Sequence, residues 1–215
     1  MTSSEAELCL TSLKVKDFLA ALASGRPTPG GGSAAALAGA TAGALVCMVA
    51  QLTIGREQYT ACQQQMIHVR DDAETLRRRL TTLVDEDARA YQDLMHGYAL
   101  PRVTEADNAL RTSEIRRALR RASEVPLETA EACGELIDLA ATGSALGNRN
   151  AASDAAVAAL LAYAGLRCAA LNVHTNLRGL RDEPFKSSAE ARLGQLQAAG
   201  DAALAKALTA AGLGD

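Results

Sequence analysis

The chain has 215 residues, of which 22 are basic and 25 acidic, for a formal net charge of −3. This length suffices for one well-buried core, and the composition gives no sign of a second unit, so we expect residues 1–215 to form a single domain. The charge balance lacks the basic footprint of a nucleic-acid-binding protein, so no nucleic-acid partner is expected.

The cysteines give no metal site. They are odd in number and widely spaced, without a CxxC pair or a nearby histidine, so we expect no metal ion and a reduced, cytoplasmic compartment. The N-terminal sequence MTSSEAELCL has no basic segment leading into an apolar one and does not resemble a secretion signal. The five cysteines are Cys9, Cys47, Cys62, Cys133 and Cys168.

Apolar residues recur with helical spacing along the whole chain, and no stretch alternates apolar and polar residues as a strand does. All five prolines fall between these helical patterns, which divides the chain into about seven helices. The pattern therefore predicts an all-α, single-domain helical bundle. The predicted helices cover residues 13–24, an Ala-rich segment after Ser33, and residues 57–98, 105–121, 126–141, 153–180 and 188–211.

The segment PTPGGGSAAALAGATAGALVCMVAQL, residues 27–52, contains no charged residue and is long enough to span a membrane. It consists mostly of Ala, Gly, Ser and Thr, whereas a span needs strongly apolar side chains. We therefore predict a helix buried on all sides in a bundle, and no membrane partner. Ala35, Gly39 and Gly43 form a small-residue face that lets another helix approach closely, and such a face is often a symmetric dimer contact.

The glycines at the start of this segment satisfy the dinucleotide pattern G-x-G-x-x-A, but a predicted helix and a proline turn precede them where that fingerprint needs a strand. No lysine follows them, which excludes a Walker loop. A helix N-terminus remains, with Ser33 as its N-cap and free backbone N–H groups beside it for a carboxylate, a carbonyl or a ring heteroatom. A tight turn whose glycines only relieve strain is the alternative.

An aspartate interrupts the apolar seam of the next predicted helix. Asp87 lies four residues after Leu83 and four before Tyr91, so its carboxylate is predicted to point toward the core, whereas Asp85 faces a flank. Burial raises the pKa of a carboxyl group toward the range useful for acid-base catalysis. A structural Asp bonded to a neighbouring helix end is the alternative. The seam is Ala73, Leu76, Leu80, Leu83, Tyr91, Leu94 and Tyr98.

A second polar constellation lies within residues 147–177. After the turn GNRN, which includes Asn148, Ser153 and Asp154 occupy the positions of a cap and a carboxylate that complements the helix dipole. Further on, Asn172 and Asn176 share one face with Val157, Leu161 and Cys168. Amides on an apolar stripe need partners, which are either a neighbouring backbone or a ligand with its own donors and acceptors.

Arginines cluster at residues 77–79 and again between residues 111 and 121. Such clusters usually form solvated helix faces. They could alternatively steer a polyanionic small molecule.

Together these segments resemble the formiminotransferase-cyclodeaminase family, specifically its cyclodeaminase domain and the similar stand-alone bacterial methenyltetrahydrofolate cyclohydrolases. The resemblance covers nearly the whole chain, with the motifs in the family's order. One position departs from it: Thr175 precedes Asn176 in the last motif, where the family usually has an aliphatic residue. The matching motifs are PTPGGGSAAAL at 27–37, VDEDARAY at 84–91, LP at 100–101, VPLETA at 125–130, and GNRNAASDAAVAALLA with NVHTNL within 147–177.

The resemblance implies a homodimeric all-helical bundle that acts on a tetrahydrofolate carrying a one-carbon unit, with no other cofactor. An aspartate of the VDEDA segment is the implied catalytic residue, and the seam favours Asp87 over Asp85. The implied reaction is cyclisation of 5-formiminotetrahydrofolate with loss of ammonia. The alternatives are hydrolysis of 5,10-methenyltetrahydrofolate to 10-formyltetrahydrofolate, and a non-catalytic folate-binding dimer. The expected substrate-binding residues are Pro29, Gly30, Gly31, Gly32, Ser33, Asn148, Ser153, Asp154, Asn172 and Asn176.

Overall fold

The computed structural model describes residues 9–213, which contain six α-helices. No strand occurs among the described residues, so the all-α prediction is confirmed. Short 3-10 segments cover Leu10–Ser12, Glu57–Cys62 and Arg149–Ala151. The helices are α1 (Val15–Leu22), α2 (Gly31–Thr53), α3 (Gln63–Ala99), α4 (Glu105–Leu146), α5 (Ala152–Leu177) and α6 (Glu183–Ala210).

The long helices form one bundle around a core rich in alanine. Helix α2 packs against α3, α4 and α5, whereas α6 packs against α4 and α5. The largest fully buried side chains of the main core come from five helices, among them Val46 of α2, Leu83 of α3, Leu136 of α4, Leu166 of α5 and Leu193 of α6. One contiguous core therefore joins α2 through α6.

Small residues allow α2 to approach its neighbours almost backbone to backbone. A Cβ atom added to Gly39 would lie 2.6 Å from Cys133 Sγ of α4, and one added to Gly165 of α5 would lie 3.1 Å from the Ala35 carbonyl oxygen. One added to Gly43 would lie 2.9 Å from Arg77 Cβ of α3. The predicted small-residue face thus serves close packing within one chain, and its assignment to a dimer contact is wrong.

The predicted break at Pro126 is also wrong, because α4 runs without interruption through this buried proline. A proline inside a helix removes the hydrogen bond to the carbonyl four residues earlier. Here that carbonyl belongs to Ala122, and the Asn176 side chain of α5 donates to it at 2.5 Å. Residues 9–213 therefore form six α-helices, where the sequence predicted about seven. Pro184 also lies inside a helix, in the first turn of α6, where no N–H is needed.

Side-chain caps explain where α4 and α6 begin. The Thr104 hydroxyl accepts the Asp107 backbone N–H at 3.1 Å, and the Asp107 carboxylate accepts the Thr104 N–H at 2.9 Å. This reciprocal capping box satisfies two donors that a helix start leaves free. Asp182 caps α6 by accepting the Phe185 N–H at 3.2 Å. The predicted start of the last helix at residue 188 was therefore several residues late.

Asp85 of α3 anchors the N-terminal segment. Its carboxylate accepts the Leu10 backbone N–H at 2.6 Å and the Thr11 hydroxyl at 2.8 Å. The side chain is only 8% exposed. The prediction that Asp85 faces a flank is wrong, because the segment before α1 folds over it and supplies these donors.

Two segments, Gly31–Thr53 and Arg149–Leu177, are long and apolar enough to cross a membrane when judged by length and composition alone. In the folded chain, 61% of the apolar window of the first and 50% of that of the second are buried. A core helix of a bundle meets the same criteria, and both segments occupy that position here.

We expect the substitution Asp85→Ala to lower the free energy of unfolding by about 1–3 kcal/mol, because it leaves buried donors of the N-terminal segment without an acceptor. Urea unfolding followed by circular dichroism measures the change. Asp93→Ala is the matched control, since Asp93 is an exposed aspartate of the same helix. Equal stabilities of the two variants would contradict the anchoring role.

Candidate active site

A cleft of about 200 Å³ opens where the start of α2 meets α3 and α5. Six residues that the sequence singled out line it together: Gly30, Gly31, Gly32, Asp87, Asn172 and Asn176. The wall also includes Tyr91 and Leu94 of α3 and Ala122 of α4. The fold thus brings the glycine turn, the aspartate of the seam and the two amides to one place.

Asp87 lies directly against the first turn of α2. A Cβ atom added to Gly32 would lie 2.0 Å from Asp87 Oδ1, so only glycine fits at this position while the carboxyl group stays there. Asp87 Oδ2 accepts the Ser33 hydroxyl proton at 2.9 Å. The predicted N-cap at Ser33 is wrong: α2 begins after Gly30, which has no side-chain cap, and Ser33 is a buried residue inside the helix. Asp87 of α3 approaches this helix start from outside.

Burial raises the pKa of Asp87 above its ordinary value of 3.8, and hydrogen bonds from the Ser33 hydroxyl and backbone N–H oppose that rise without cancelling it. The cause is desolvation, which penalises the charged carboxylate. A half-buried carboxyl with a raised pKa is a stronger base than an exposed one, and it holds a proton more readily near neutral pH.

Ser33 can satisfy Asp87 in both of its protonation states. The Ser33 hydroxyl has a second acceptor within reach, the Val84 carbonyl oxygen, at 3.0 Å. It can donate to the ionised Asp87 carboxylate, or turn its proton to Val84 and accept from a protonated Asp87. The carboxyl group can therefore gain and lose a proton without leaving a buried polar atom unpaired.

The two amides on α5 each have one hydrogen bond to a backbone carbonyl. Asn172 Nδ2 donates to the Cys168 carbonyl oxygen of its own helix at 2.9 Å, and Asn176 Nδ2 donates to Ala122 of α4. Both side chains are half-buried. The stripe on which they were predicted is not core, since Val157 is 45% exposed and Cys168 is exposed as well.

Three other predicted binding residues lie at the opposite end of α2. Buried Asn148 donates its backbone N–H to Thr53 Oγ1 at 2.8 Å and its side-chain amide to the Leu52 carbonyl oxygen at 3.1 Å, so it caps the end of α2. Helix α2 has 23 residues, which at about 1.5 Å per residue separates this cap from the glycine turn by about 33 Å. One chain therefore does not bring Asn148 to the Asp87 cleft.

The remaining two predicted binding residues, Ser153 and Asp154, follow the turn that contains Asn148. The cap predicted at Ser153 is wrong, because α5 begins after Ala151 and Ser153 is exposed. Asp154 does lie in the first turn of α5, where its charge complements the helix dipole.

Glu86, between Asp85 and Asp87, belongs to a separate ionic cluster of α3 and α4. Arg121 donates to Glu86 at 2.5 Å and to Glu128 at 2.8 Å, and Arg79 pairs with the same two carboxylates. Burial alone would raise the pKa of Glu128, but hydrogen bonds from the two arginines hold it below its usual value. These arginines therefore neutralise protein carboxylates. A role of other arginines in steering a polyanion stays a prediction.

The sequence missed part of the cleft wall. Tyr91 was predicted as a core residue, yet it is 36% exposed and lines the cleft one helical turn beyond Asp87. Its position four residues after Asp87 was the available signal, since such residues share a helix face. The Ala122 backbone had no signal in the sequence, because α4 was predicted to end before Pro126.

A larger and more open groove of about 780 Å³ lies elsewhere, with a wall that includes Asp138, Thr142 and Lys206. No residue that the sequence singled out for binding or catalysis lines it. Within residues 9–213 no group of three or more His, Cys, Asp or Glu side chains is placed to hold a metal ion. The convergence of polar groups makes the smaller Asp87 cleft the candidate site.

Comparison with known proteins identifies the family. Residues 14–195 match the family described as formiminotransferase-cyclodeaminase. The chain is 46% identical over 183 residues to a methenyltetrahydrofolate cyclohydrolase of Methylorubrum extorquens, covering 85% of this chain and 86% of that protein. It is 33% identical over 190 residues to the formimidoyltransferase-cyclodeaminase of Rattus norvegicus, but covers only 35% of that longer protein against 88% of its own length.

A solved structure has the same fold. The crystal structure of formiminotetrahydrofolate cyclodeaminase from Thermotoga maritima superposes with a TM-score of 0.84 at 28% identity and covers 94% of this chain and 96% of that one. These relatives are enzymes, and the family match spans most of the helical bundle, including the Asp87 cleft. The chain therefore belongs to the formiminotransferase-cyclodeaminase family and is an enzyme.

Proposed function

We propose that this chain is a 5,10-methenyltetrahydrofolate cyclohydrolase, which adds water to the methenyl bridge and yields 10-formyltetrahydrofolate. The observation that carries the proposal is the half-buried Asp87 carboxyl, which lies against the start of α2 and has a raised pKa. The choice of reaction is supported by the 46% identity to a cyclohydrolase that this chain matches over 86% of its length. Enzyme status removes the non-catalytic folate-binding dimer from the candidates.

Asp87 would move the proton in this reaction. As base, its carboxylate takes a proton from water while the water oxygen bonds to the bridging carbon between N5 and N10. The carboxylic acid then returns this proton to N5 as the bond from carbon to N5 breaks. The remaining hydroxyl proton leaves to solvent as the formyl C=O forms. Water, the substrate and one carboxyl group complete this sequence, so we propose no cofactor beyond the folate.

The rest of the cleft would hold the pterin end of the folate. The backbone N–H groups of Gly31 and Gly32 at the uncapped helix start offer donors beside the positive end of the helix dipole. The side-chain oxygens of Asn172 and Asn176 offer acceptors. We propose that Pro29, a buried residue, and Ser33 shape this end of α2 without contacting the folate themselves.

Cyclodeamination of 5-formiminotetrahydrofolate is the second candidate. It is supported by the likeness to the Thermotoga maritima cyclodeaminase. Here N10 attacks the carbon of the protonated formimino group (=NH2+), and Asp87 transfers the N10 proton to that nitrogen, which departs as ammonia and leaves the positive charge on the methenyl bridge. Both reactions pass through a tetrahedral carbon between N5 and N10, so one carboxyl group can serve either.

We also propose that two copies form a homodimer through the outward faces of α2 and α5. These packed helices leave apolar side chains exposed, among them Met48, Leu160 and Leu171, the last with 68% of its surface exposed. Exposed apolar side chains on adjoining helices are typical of protein-protein contacts. The volume of the cleft in one chain is also below the roughly 300–1,000 Å³ of usual ligand pockets, which fits a site that a second copy extends.

The free thiols, two of them exposed, support a cytoplasmic location.

Purified protein should consume 5,10-methenyltetrahydrofolate, seen as a loss of methenyl absorbance, faster than it forms that absorbance from 5-formiminotetrahydrofolate. The substitution Asp87→Asn should lower kcat by about 10²–10⁴-fold, because the amide cannot accept or return the proton. Asp85→Asn is the matched control, and it should retain kcat where it folds. A fully active Asp87→Asn enzyme would rule out the assigned base, and preferential turnover of the formimino substrate would favour the second candidate.

Asp87→Asn should also be at least as stable as the parent at neutral pH. Because the folded pKa of Asp87 lies above the unfolded one, its contribution to stability is present below the unfolded pKa and lost as pH rises through the folded pKa. The melting temperatures of the two proteins should therefore converge as the pH falls toward 4. A large loss of stability at neutral pH would instead indicate a structural role for the charged carboxylate.

The pH dependence of kcat/KM should rise through the pKa of Asp87, at a pH above the ordinary range of an aspartate. Ser33→Ala removes a hydrogen bond that lowers this pKa, so the rise should shift to higher pH. Ser144→Ala is the control, because Ser144 is a buried serine whose hydroxyl has no partner in the described chain. A pH profile that does not respond to Ser33→Ala would show that the titrating group is not Asp87.

Sedimentation equilibrium should give a dimer for the parent protein and mostly monomer for Leu171→Asp, because a charge within the apolar α5 face must be desolvated on association. Leu110→Asp changes another exposed leucine, which lies on α4 outside that face, and should remain dimeric. A monomeric parent protein would contradict the proposed homodimer.

A further inference from the structure

Pro126 leaves one backbone acceptor of α4 free at the wall of the cleft. In an uninterrupted helix the N–H of residue 126 would donate to the Ala122 carbonyl, and proline has no N–H. Asn176 Nδ2 of α5 occupies the vacated position at 2.5 Å from the Ala122 oxygen. Ala122 and Asn176 both line the Asp87 cleft. A helix irregularity and a polar side chain of the site therefore meet in one hydrogen bond.

This hydrogen bond fixes which end of the Asn176 amide faces which way. A side-chain amide carries donors on Nδ2 and an acceptor on Oδ1, and rotation by a half turn exchanges them. A carbonyl oxygen accepts but cannot donate, so Ala122 holds the Nδ2 end. Asn176 Oδ1 has no hydrogen bond within residues 9–213 and is not among the fully buried unpaired atoms, so it is an accessible acceptor.

Asn172 shows which hydrogen-bond acceptor an amide of α5 uses where no proline has freed a carbonyl. Its Nδ2 donates to the Cys168 carbonyl of its own helix, an acceptor that α5 already uses for its regular hydrogen bonds. The Ala122 carbonyl, by contrast, has no regular helix donor. Asn176 is thus held by an otherwise unpaired acceptor, and the cost of leaving a buried carbonyl unpaired opposes rotation of its amide.

We propose that Pro126 is a positioning residue for substrate recognition: it frees the Ala122 carbonyl to orient Asn176, so that Oδ1 accepts an N–H of the reduced pterin ring. The inference rests on the proposed function, since it assigns a ligand group to the same cleft. The chemistry matches, because the pterin carries N–H donors on its pyrimidine ring and on its exocyclic amine. An amide in the opposite orientation would present a donor to those donors.

The test is the split between KM and kcat in Pro126→Ala. The alanine N–H competes for the Ala122 carbonyl and releases Asn176. A neutral hydrogen bond of typical strength then predicts a rise in KM of about two- to tenfold, with kcat within about a factor of two, since the contact is made equally in substrate and transition state. Because Pro126 is buried, the smaller alanine loses packing contacts, so a lower melting temperature is expected with or without the positioning role, and KM is the deciding measurement. A merely structural proline would leave KM unchanged.

A double-mutant cycle tests whether Pro126 acts through Asn176. Asn176→Ala alone should raise KM, and adding Pro126→Ala should raise it no further, since the group to be positioned is already gone. Pro184→Ala is the matched control, because that exposed proline lies in the first turn of α6, where helices need no N–H. It should change neither KM nor the effect of Asn176→Ala.

The outcomes separate this inference from the proposed function. A wild-type protein that neither turns over methenyltetrahydrofolate nor binds 5-formyltetrahydrofolate in calorimetry would overturn both. A wild-type protein that does both, with an unchanged KM in Pro126→Ala or additive effects in the cycle, would overturn the positioning role alone. Should Pro126→Ala fail to fold, Asn176→Leu decides, since leucine keeps a similar shape but neither accepts a hydrogen bond from the pterin nor donates one to the Ala122 carbonyl. It should weaken binding as much as Asn176→Ala, and unchanged binding would overturn the inference.

Discussion

The site depends on one contact, the carboxyl group of Asp87 against the backbone of the first turn of α2. No side chain larger than hydrogen fits at Gly32, so the helix start and the carboxyl group meet without an intervening methyl group. This closeness shields Asp87 partly from water and raises its pKa, while Ser33 supplies the hydrogen bonds that make a half-buried carboxylate tolerable. Gly32 is required here for space and not for backbone conformation, since its φ is not positive, whereas a Cβ atom at Gly30 or Gly31 would make only ordinary contacts.

Two aspartates only two residues apart have different tasks because different elements cover them. Asp85 faces the N-terminal segment, whose backbone and hydroxyl donors surround it, and it ties that segment to the bundle. Asp87 faces a cleft, and its donors come from a single serine. Glu86 between them turns toward the arginines of α3 and α4. One helical turn thus presents three carboxylates to three environments, of which only one is open to a ligand.

Helical periodicity predicted the fold class, most helix positions and the inward direction of Asp87, whereas only the family resemblance placed Asp87 and the glycine turn in one site. Prediction from the sequence failed where a distant residue changes a local rule. Pro126 was taken as a helix break, since nothing nearby in sequence replaces its missing hydrogen bond, whereas Asn176 does so from another helix. Ser33 was taken as an N-cap, although Asp87 draws it into a buried contact. The capping role of Asn148 was equally invisible, because it depends on how α4 and α5 are joined beside α2.

Helix α2 is held at both of its ends. Its core faces are mostly alanine and glycine, which form shallow ridges and so give neighbouring helices little to lock their axial register. Apart from the close contacts at Gly39 and Gly43, these faces leave α2 some freedom to shift along its axis. The hydroxyl contact of Ser33 with α3 at one end and the Asn148 cap at the other remove that freedom. Asn148, although far from the cleft, therefore holds the opposite end of α2 and so keeps the glycine turn at a fixed axial position beside Asp87.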